Sequence, residues 1–496
     1  MSDGQSSLDR RCALDETSSR SCAGPGYPRW VVPARFQPLL DETRPLAERF
    51  RAAGYSLSLV GGIVRDTLLG RNRSDLDIDC TTDAPPDDIE RIMRAHGPTA
   101  LWTVGKKFGT IGATYRVGDI ERPFEITTYR AEAYNEDSRK PEVEFSTRID
   151  EDLARRDFTV NAMALGVLEL ELIDPFGGAV DLVAKRLRTP LGPEISFSDD
   201  PLRMLRAARF IAGFGLAPDE DLVAAVKALR SRMSIVSAER IRGELDKLLV
   251  TDDPSSGLWF LVSTGLADEF LPELPAMALE QDPIHRHKDV LAHSIAVVAK
   301  TKPDRIVRMA ALLHDIAKPK TRSIGPNGVS FHHHDVVGAR MTRDRLRALK
   351  YSNEDVDAIS KLVGLHLRFH TYSMGWTDSA VRRYVRDAGN LLEPLNELTR
   401  CDCTTRNPKK AERLAKRMDD LELRIEELRT EEELDSLRPD LDGVAIMARL
   451  GIGPGRDVGQ ALGMLMEARL EEGPLGPDEA GRRLDEWWAA RSSSTR

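Results

Sequence analysis

The stretch LVGGIVRDTLLGRNRSDLDIDCTTDAPPD, residues 59 to 87, closes an apolar run with a glycine pair and then places aspartates at every second position. A strand presents alternate residues to opposite faces, so Asp75, Asp77 and Asp79 project to one side. Carboxylates gathered in this way repel one another unless a cation sits among them, and their hard oxygens suit Mg²⁺ shared with substrate phosphates. Gly61 and Gly62 let backbone N–H groups approach a phosphate at the start of a helix, where the peptide dipoles favour an anion. Arg65, just inside that helix, adds a charged fork. Taken alone, the aspartates fit an ordinary polar strand face. Together with the glycine pair, Arg65 and Asp66, they point to phosphoryl or nucleotidyl transfer assisted by two metal ions.

Outward from this stretch the chain divides by periodicity. Residues 1–35 are rich in Ser, Gly, Arg and Asp and read as a flexible extension. Residues 36–180 mix helical and strand patterns, including the strands FGTIGATYRV and RPFEITTYR, and form an α+β head. Strand patterns fade past residue 185. DPLRMLRAARFIAGFG, DEDLVAAVKALRSRM and SAERIRGELDKLLV have helical spacing with turn residues between them, which predicts an all-α neck and body over 181–275. A second helical block spans 276–405, and a helical C-terminal segment occupies 406–496.

The 496 residues are 41% hydrophobic and 30% charged, enough for several cores. A net charge of −9 argues against wholesale non-specific nucleic-acid binding but leaves room for a local basic groove. Five cysteines without zinc spacing exclude a disulfide framework and fit a reducing, cytoplasmic setting. No apolar run is long enough to span a bilayer.

The order GGIVRDTLLG…DLDID, GKKFGT (105–110), EITTYR (125–130), DLARRDFTVNAMAL (152–165) and DDPLRMLRAARF (199–210) resembles the nucleotidyltransferase superfamily, in the branch of bacterial CCA-adding enzymes and poly(A) polymerases. The resemblance implies a polymerase-β-like head that adds CCA to the 3′ end of tRNA from CTP and ATP, with Mg²⁺ on an aspartate pair. Counting forward from Gly70 puts that pair at Asp75 and Asp77; counting back from TTDAPP puts it at Asp77 and Asp79. Asp77 belongs to both registers. Glu125 is a candidate third carboxylate or a paired edge residue. The resemblance further implies nucleotide contacts at Gly62 and Arg65 and a sugar-binding group of Arg156, Asp157 and Asn161. It also implies a base-reading edge of Asp200 and Arg203, with Arg206 and Arg209 near phosphates. The plainer alternatives are an N-cap for Asp200, since Pro201 follows it, and a solvated helix face for the three arginines.

Seven of the ten histidines fall between His285 and His334. The pattern HRHKDVLAHSIAVV…ALLHDIAKPKT…FHHHDVVGARM…RCDCTT resembles the HD domain of metal-dependent phosphohydrolases. By that resemblance His293, His314, Asp315 and Asp402 are metal ligands, and the mixed His and carboxylate set suits a divalent transition metal. His333, His334 and His366 are candidates for a second position. An HD domain attached to a CCA-adding enzyme implies phosphatase or phosphodiesterase activity toward 2′,3′-cyclic or terminal phosphates, or a scaffold. The tail LDGVAIMARLGIGPGRDVGQAL also resembles this family. Lys409, Lys410, Arg413, Lys416 and Arg417 precede it on one predicted helix, either along an RNA backbone or as a solvated face. The sequence therefore predicts a tRNA-directed transferase. A poly(A) polymerase and an HD phosphohydrolase with an RNA-binding head are the alternatives, and oligomeric state is left open.

Overall fold

Seven strands form the head's sheet, and their order explains why the aspartates meet other acids. In the computed structural model, which describes residues 32–71, 77–118, 120–133, 142–279, 289–325, 328–371, 377–403, 407–432 and 438–494, these strands are β1 (Ser58–Val60), β2 (Ile78–Thr82), β3 (Ala100–Trp102), β4 (Thr110–Val117), β5 (Ile120–Thr128), β8 (Ala164–Gly166) and β9 (Leu172–Ile173). They run in the order β3-β4-β5-β2-β1-β8-β9, with a separate hairpin of β6 (Arg130–Ala133) and β7 (Glu142–Phe145). β2 pairs parallel to β5, while its other neighbour β1 is antiparallel. Alternation in β2 buries Ile78 and Cys80 against the head core. Asp79 consequently takes the other face.

The helix Gly62–Leu68 follows β1 directly, as its sequence predicts. Gly61 has φ 75°, a left-handed backbone that glycine adopts without strain. The first 31 residues lie outside the described residues. The head nonetheless begins earlier than residue 36, because Ala34–Phe36 already turns into the helix Gln37–Ala52.

From Phe158 to Leu428 one continuous apolar core joins neck and histidine-rich block. Helix Leu202–Phe214 packs between helices Ala238–Leu249 and Ser255–Ser263. Arg308, 2% exposed, fixes the junction of the two blocks by donating to the carbonyls of Leu249, Thr251, Asp252 and Thr301. Two features differ from the sequence expectation. Helix Pro408–Glu432 inserts Met418, Leu421, Ile425 and Leu428 into this shared core, so the boundary near 405 does not separate it from the block before it. The independent C-terminal core starts around Ile446. A short hairpin, Arg322–Gly325 with Gly328–Phe331, also interrupts the helices. Among the described residues no helix is long and apolar enough to cross a membrane.

Two glycines in the neck make contrasting tests of this packing. A Cβ at Gly257 would lie 2.5 Å from the Ala208 carbonyl oxygen and 2.6 Å from Leu248 Cδ1, whereas one at Gly243 meets nothing within 4 Å. Thermal melting of Gly257→Ala is expected to show a loss of about 1–3 kcal/mol. Gly243→Ala, inside helix Ala238–Leu249, is expected to gain about 0.5–1 kcal/mol.

Candidate functional site

Parallel pairing of β2 with β5 sets Asp79 beside Glu125. Asp77 stands exposed just before β2. Burial pushes the Asp79 carboxyl up to about 6, with Glu125 and Asp77 adding to the rise and Arg156 opposing it. Two further acids and one guanidinium therefore act on Asp79 near the start of β2. A carboxylate group that is costly to ionise fully is the donor set a hard divalent cation relieves, so these residues fit Mg²⁺. Asp75 lies outside the described residues.

Arg156 reaches this group past Gly61. A Cβ there would sit 2.8 Å from Arg156 Nη1, so the first glycine is required by the arginine's approach as well as by its φ. Gly62 opens the helix. Asp152, fully buried, steadies the arginines: it lies 3.0 Å from Arg155 and 3.3 Å from Arg156, and accepts from Thr81 Oγ1 at 3.3 Å. Burial disfavours its charge, but Arg156 and Arg155 hold its carboxyl below the usual value. Sequence reasoning missed Asp152. Its signal was the spacing of one acid three and four residues ahead of two arginines.

Asp157, Asn161, Arg65 and Arg206 form a single buried chain. Arg65 donates from Nε and Nη2 to Asp66 at 2.8 and 2.9 Å, and from Nη1 to Asn161 Oδ1 at 2.5 Å. Asn161 Nδ2 donates to Asp157 Oδ1 at 2.8 Å. Asp157 Oδ2 accepts from Arg206 Nη2 and Nε at 2.6 and 2.9 Å. Glu244 then accepts from Arg209 Nε at 2.7 Å and from Arg206 Nη1 at 3.5 Å. Arg65 also stacks over Phe214, 4.2 Å from the ring centroid. Arg65 is thus a clasp between head and neck in place of an extended fork. Arg206 and Arg209 do not form a simply solvated face, because Asp157 and Glu244 engage them. Glu244, 4% exposed, was not anticipated.

Asp200 precedes helix Leu202–Phe214 and Arg203 lies in its first turn, but their side chains do not meet as an open edge. Asp200 Oδ1 accepts from the Leu202 backbone N–H at 3.1 Å, but Pro201 takes the N-cap position that the plainer alternative gave to Asp200, and Oδ2 accepts from Arg240 Nη2 at 2.7 Å. Arg203 donates instead to Ser196 Oγ at 2.9 Å and to the Arg155 carbonyl at 2.6 Å. This ties the neck to the segment that carries Arg156.

The histidine-rich block brings His293, His314, Asp315 and Asp402 close together. His293 Nε2 lies 2.8 Å from Asp402 Oδ1 and 3.2 Å from His314 Nε2, and His314 Nε2 is 3.1 Å from Asp315 Oδ2. Burial opposes a charge on His314, but Asp315 and Asp402 outweigh it and push its pKa up to about 10. His293, His314 and Asp315 offer ligand atoms close enough to share one ion, and so do Asp315, His334 and His366. The donor chemistry fits a divalent transition metal. His333 stays outside: it is exposed, and its φ of 60° makes the turn that directs His334 inward. On helix Pro408–Glu432, Lys409, Lys410, Arg413 and Lys416 are exposed, whereas Arg417 lies over Phe369, 5.2 Å from the ring centroid.

The buried chain through Asp157 has a pH signature. Burial raises the cost of its charge, but Arg206, Asn161 and Arg203 more than compensate and hold its carboxyl well below the usual carboxylate range. Asp157→Asn is expected to lower stability by about 2–3 kcal/mol at neutral pH, below the full cost of a broken buried pair because Arg206 is 31% exposed. The folded carboxyl titrates below the unfolded one, so its contribution is present above about pH 4 and is lost below it. Melting curves of the two proteins should therefore stay apart down to about pH 4 and draw together only as pH falls further.

Three family models match the chain in order: the poly A polymerase head domain over residues 57–188, the probable RNA and SrmB-binding site of polymerase A over 215–277, and the HD domain over 290–425. The A-adding tRNA nucleotidyltransferase of Deinococcus radiodurans is 32% identical over 447 residues, covering 87% of this chain and 95% of that protein. The CCA-adding enzyme of Bacillus subtilis is 40% identical over 221 residues, and the match spans 44% of this chain and about half, 52%, of that relative. Among solved structures, the Bacillus stearothermophilus CCA-adding enzyme in complex with CTP has a TM-score of 0.65 at 24% identity, covering 93% of this chain and 99% of that one. The Thermotoga maritima CCA-adding enzyme complexed with tRNA has a TM-score of 0.55 at 20% identity, covering 91% and 96%. These structures share the fold of the head, neck and helical body described above. With a relative matched over nearly its whole length, the chain belongs to the tRNA nucleotidyltransferase family, with a poly(A)-polymerase-type head and an HD domain.

Proposed function

We propose that this protein adds CCA to the 3′ end of tRNA from CTP and ATP, without a nucleic-acid template, in the cytoplasm. The observation that carries the reading is the cluster of Asp77, Asp79 and Glu125 facing Arg156, in a chain of this family. Asp77 and Asp79 hold Mg²⁺, with Glu125 alongside; of the two registers, this pair has a third acid paired beside it. Bound there, Mg²⁺ supplies Lewis-acid stabilisation to the attacking ribose hydroxyl and the departing pyrophosphate. Arg156 offers charge to the triphosphate beside Gly61 and Gly62. Its Nε is buried with no hydrogen-bond partner among the described residues, which leaves a donor for an anion.

Base selection falls to Asp200 and Arg203, whose carboxylate and guanidinium match the amino and ring-nitrogen edges of cytosine and adenine. Each must exchange a protein partner for the base: Asp200 releases Arg240, and Arg203 releases Ser196 or the Arg155 carbonyl. Asp157, Asn161, Arg206 and Arg209 hold the head and neck at the separation the nucleotide needs. In the HD domain, His293, His314, Asp315 and Asp402 hold a divalent transition metal, and phosphate esters at RNA ends are the substrate class.

A second reading, addition of the terminal A alone, is favoured by the A-adding relative matched over 95% of its length. The test is extension of tRNA transcripts ending before CCA, after C and after CC, with CTP, ATP or both. CCA addition predicts ordered growth that stops after the final A on all three. Extension of only the CC-ended transcript would establish the second reading, and long A tails would mean a poly(A) polymerase. Asp77→Ala and Asp79→Ala are each expected to lower incorporation by at least about 10²-fold.

A further inference from the structure

Pairing across β3, β4, β5 and β2 sorts the head's residues onto two faces. Leu101 pairs with Ala113, Ala113 with Phe124 and Phe124 with Ile78, and this row packs into the head core. The next row, Trp102, Gly112, Glu125 and Asp79, is also continuous across the four strands. Paired residues project to one side of a sheet and successive residues to opposite sides. Trp102 therefore stands on the face that carries Glu125 and Asp79. We propose that the Trp102 indole is the platform on which the 3′-terminal base of the acceptor RNA stacks, placing its ribose hydroxyl for attack. The proposal rests on the transfer reading above and adds to it where the second substrate lies.

Gly112 aims the indole. A Cβ at Gly112 would lie 2.1 Å from Trp102 Cε2 and Nε1 and 2.5 Å from Cζ2, so the ring occupies the space that any larger residue would fill. From β3 it reaches across β4 toward Glu125, which brings it to about 4.8 Å, one strand spacing, from β5. Glu125 is exposed and Trp102 is 36% exposed, so the core seals neither.

Strand order decides which substrate meets this ring. Gly61 and Gly62 follow β1, and Arg156 reaches past Gly61, so the triphosphate groups belong to the β1 flank of β2. β4 and β3 lie on the other flank, beyond β5. In the transfer the ribose hydroxyl oxygen bonds to the α-phosphorus as the bond to pyrophosphate breaks, and the hydroxyl proton is released to solvent. The entering and leaving oxygens lie in line, on opposite sides of the phosphorus. With pyrophosphate leaving toward Gly61 and Gly62, the hydroxyl arrives from the β5 side, and the nucleotide that carries it lies against Trp102.

Charge on this flank suits RNA. Thr110 and Thr127 pair two residues along the same face, with their hydroxyl oxygens 3.0 Å apart, and Arg130 Nη2 donates to Thr110 Oγ1 at 2.7 Å. That guanidinium sets positive charge beside the path of the RNA backbone. Aromatic stacking accepts every base, which suits an acceptor whose last base changes as its end grows.

The test is steady-state extension of a CC-ended tRNA transcript by the full-length protein, with RNA and ATP concentrations varied separately. Trp102→Leu is expected to lower kcat/KM for the RNA at least about 10-fold and to leave KM for ATP within about 3-fold. Trp102→Phe, which keeps a stacking face, should recover most of that loss. Gly112→Ala should displace the indole and reproduce the Trp102→Leu result, and the double variant should lose no more than either single one. Melting curves check that each variant is folded. Unchanged kcat/KM for the RNA in Trp102→Leu, or additive losses in the double variant, would overturn the platform while wild-type transfer stands. A raised KM for ATP with the RNA unaffected would also overturn it, by placing Trp102 against the incoming nucleotide. Absence of any incorporation by the wild-type protein would overturn the transfer reading and the platform with it.

Discussion

The carboxylate of Asp157 is the joint on which the head and neck turn. One oxygen takes the Asn161 amide and, through it, the Arg65 guanidinium of the glycine-pair helix; the other takes both donors of Arg206 on the neck. A charge this deeply buried persists only when its lone pairs are engaged, so the chain of contacts is mutually enforcing. Removing Asn161 or Arg206 leaves the buried Asp157 carboxylate short of a partner. Asp79 of β2 belongs to the head and Arg203 to the neck helix, so this joint ties together the two elements that carry the proposed metal-binding and base-reading residues.

Several charged residues that sequence alone suggests as ligand contacts also hold the frame. Arg65, Arg206 and Arg209 engage internal acids, while Asp77 is exposed and Asp79 only half-buried. This division separates rigid support from a few side chains that change partners. On the proposed reading, this arrangement suits acceptance of two different bases at one chemical centre.

Much of this was legible in local pattern. The glycine pair, the helix after it, the alternation of β2 and the histidine-aspartate dipeptide each report chemistry within a few residues of chain. What was not legible depended on non-local pairing. The parallel register of β2 and β5, which sets Glu125 beside Asp79, joins residues 46 positions apart, and no local period specifies it. Helical spacing placed Arg203, Arg206 and Arg209 on one face but did not reveal that Glu244 and Asp157 faced them. Likewise, three consecutive histidines, His332 to His334, look equivalent in sequence. The left-handed backbone at His333 decides that only the third is buried.

The central claim is that the Asp77–Asp79 pair, and not Asp75–Asp77, holds the metal that drives transfer. The most direct measurement is a crystal structure of the protein with a CC-ended tRNA, a non-hydrolysable ATP analogue and Mn²⁺, with metal positions located by anomalous scattering. The account predicts Mn²⁺ bound by both Asp77 and Asp79, next to Glu125 and on the triphosphate side of Arg156. Mn²⁺ bound by Asp75 and Asp77, with Asp79 paired to Arg156 and away from the metal, would contradict it.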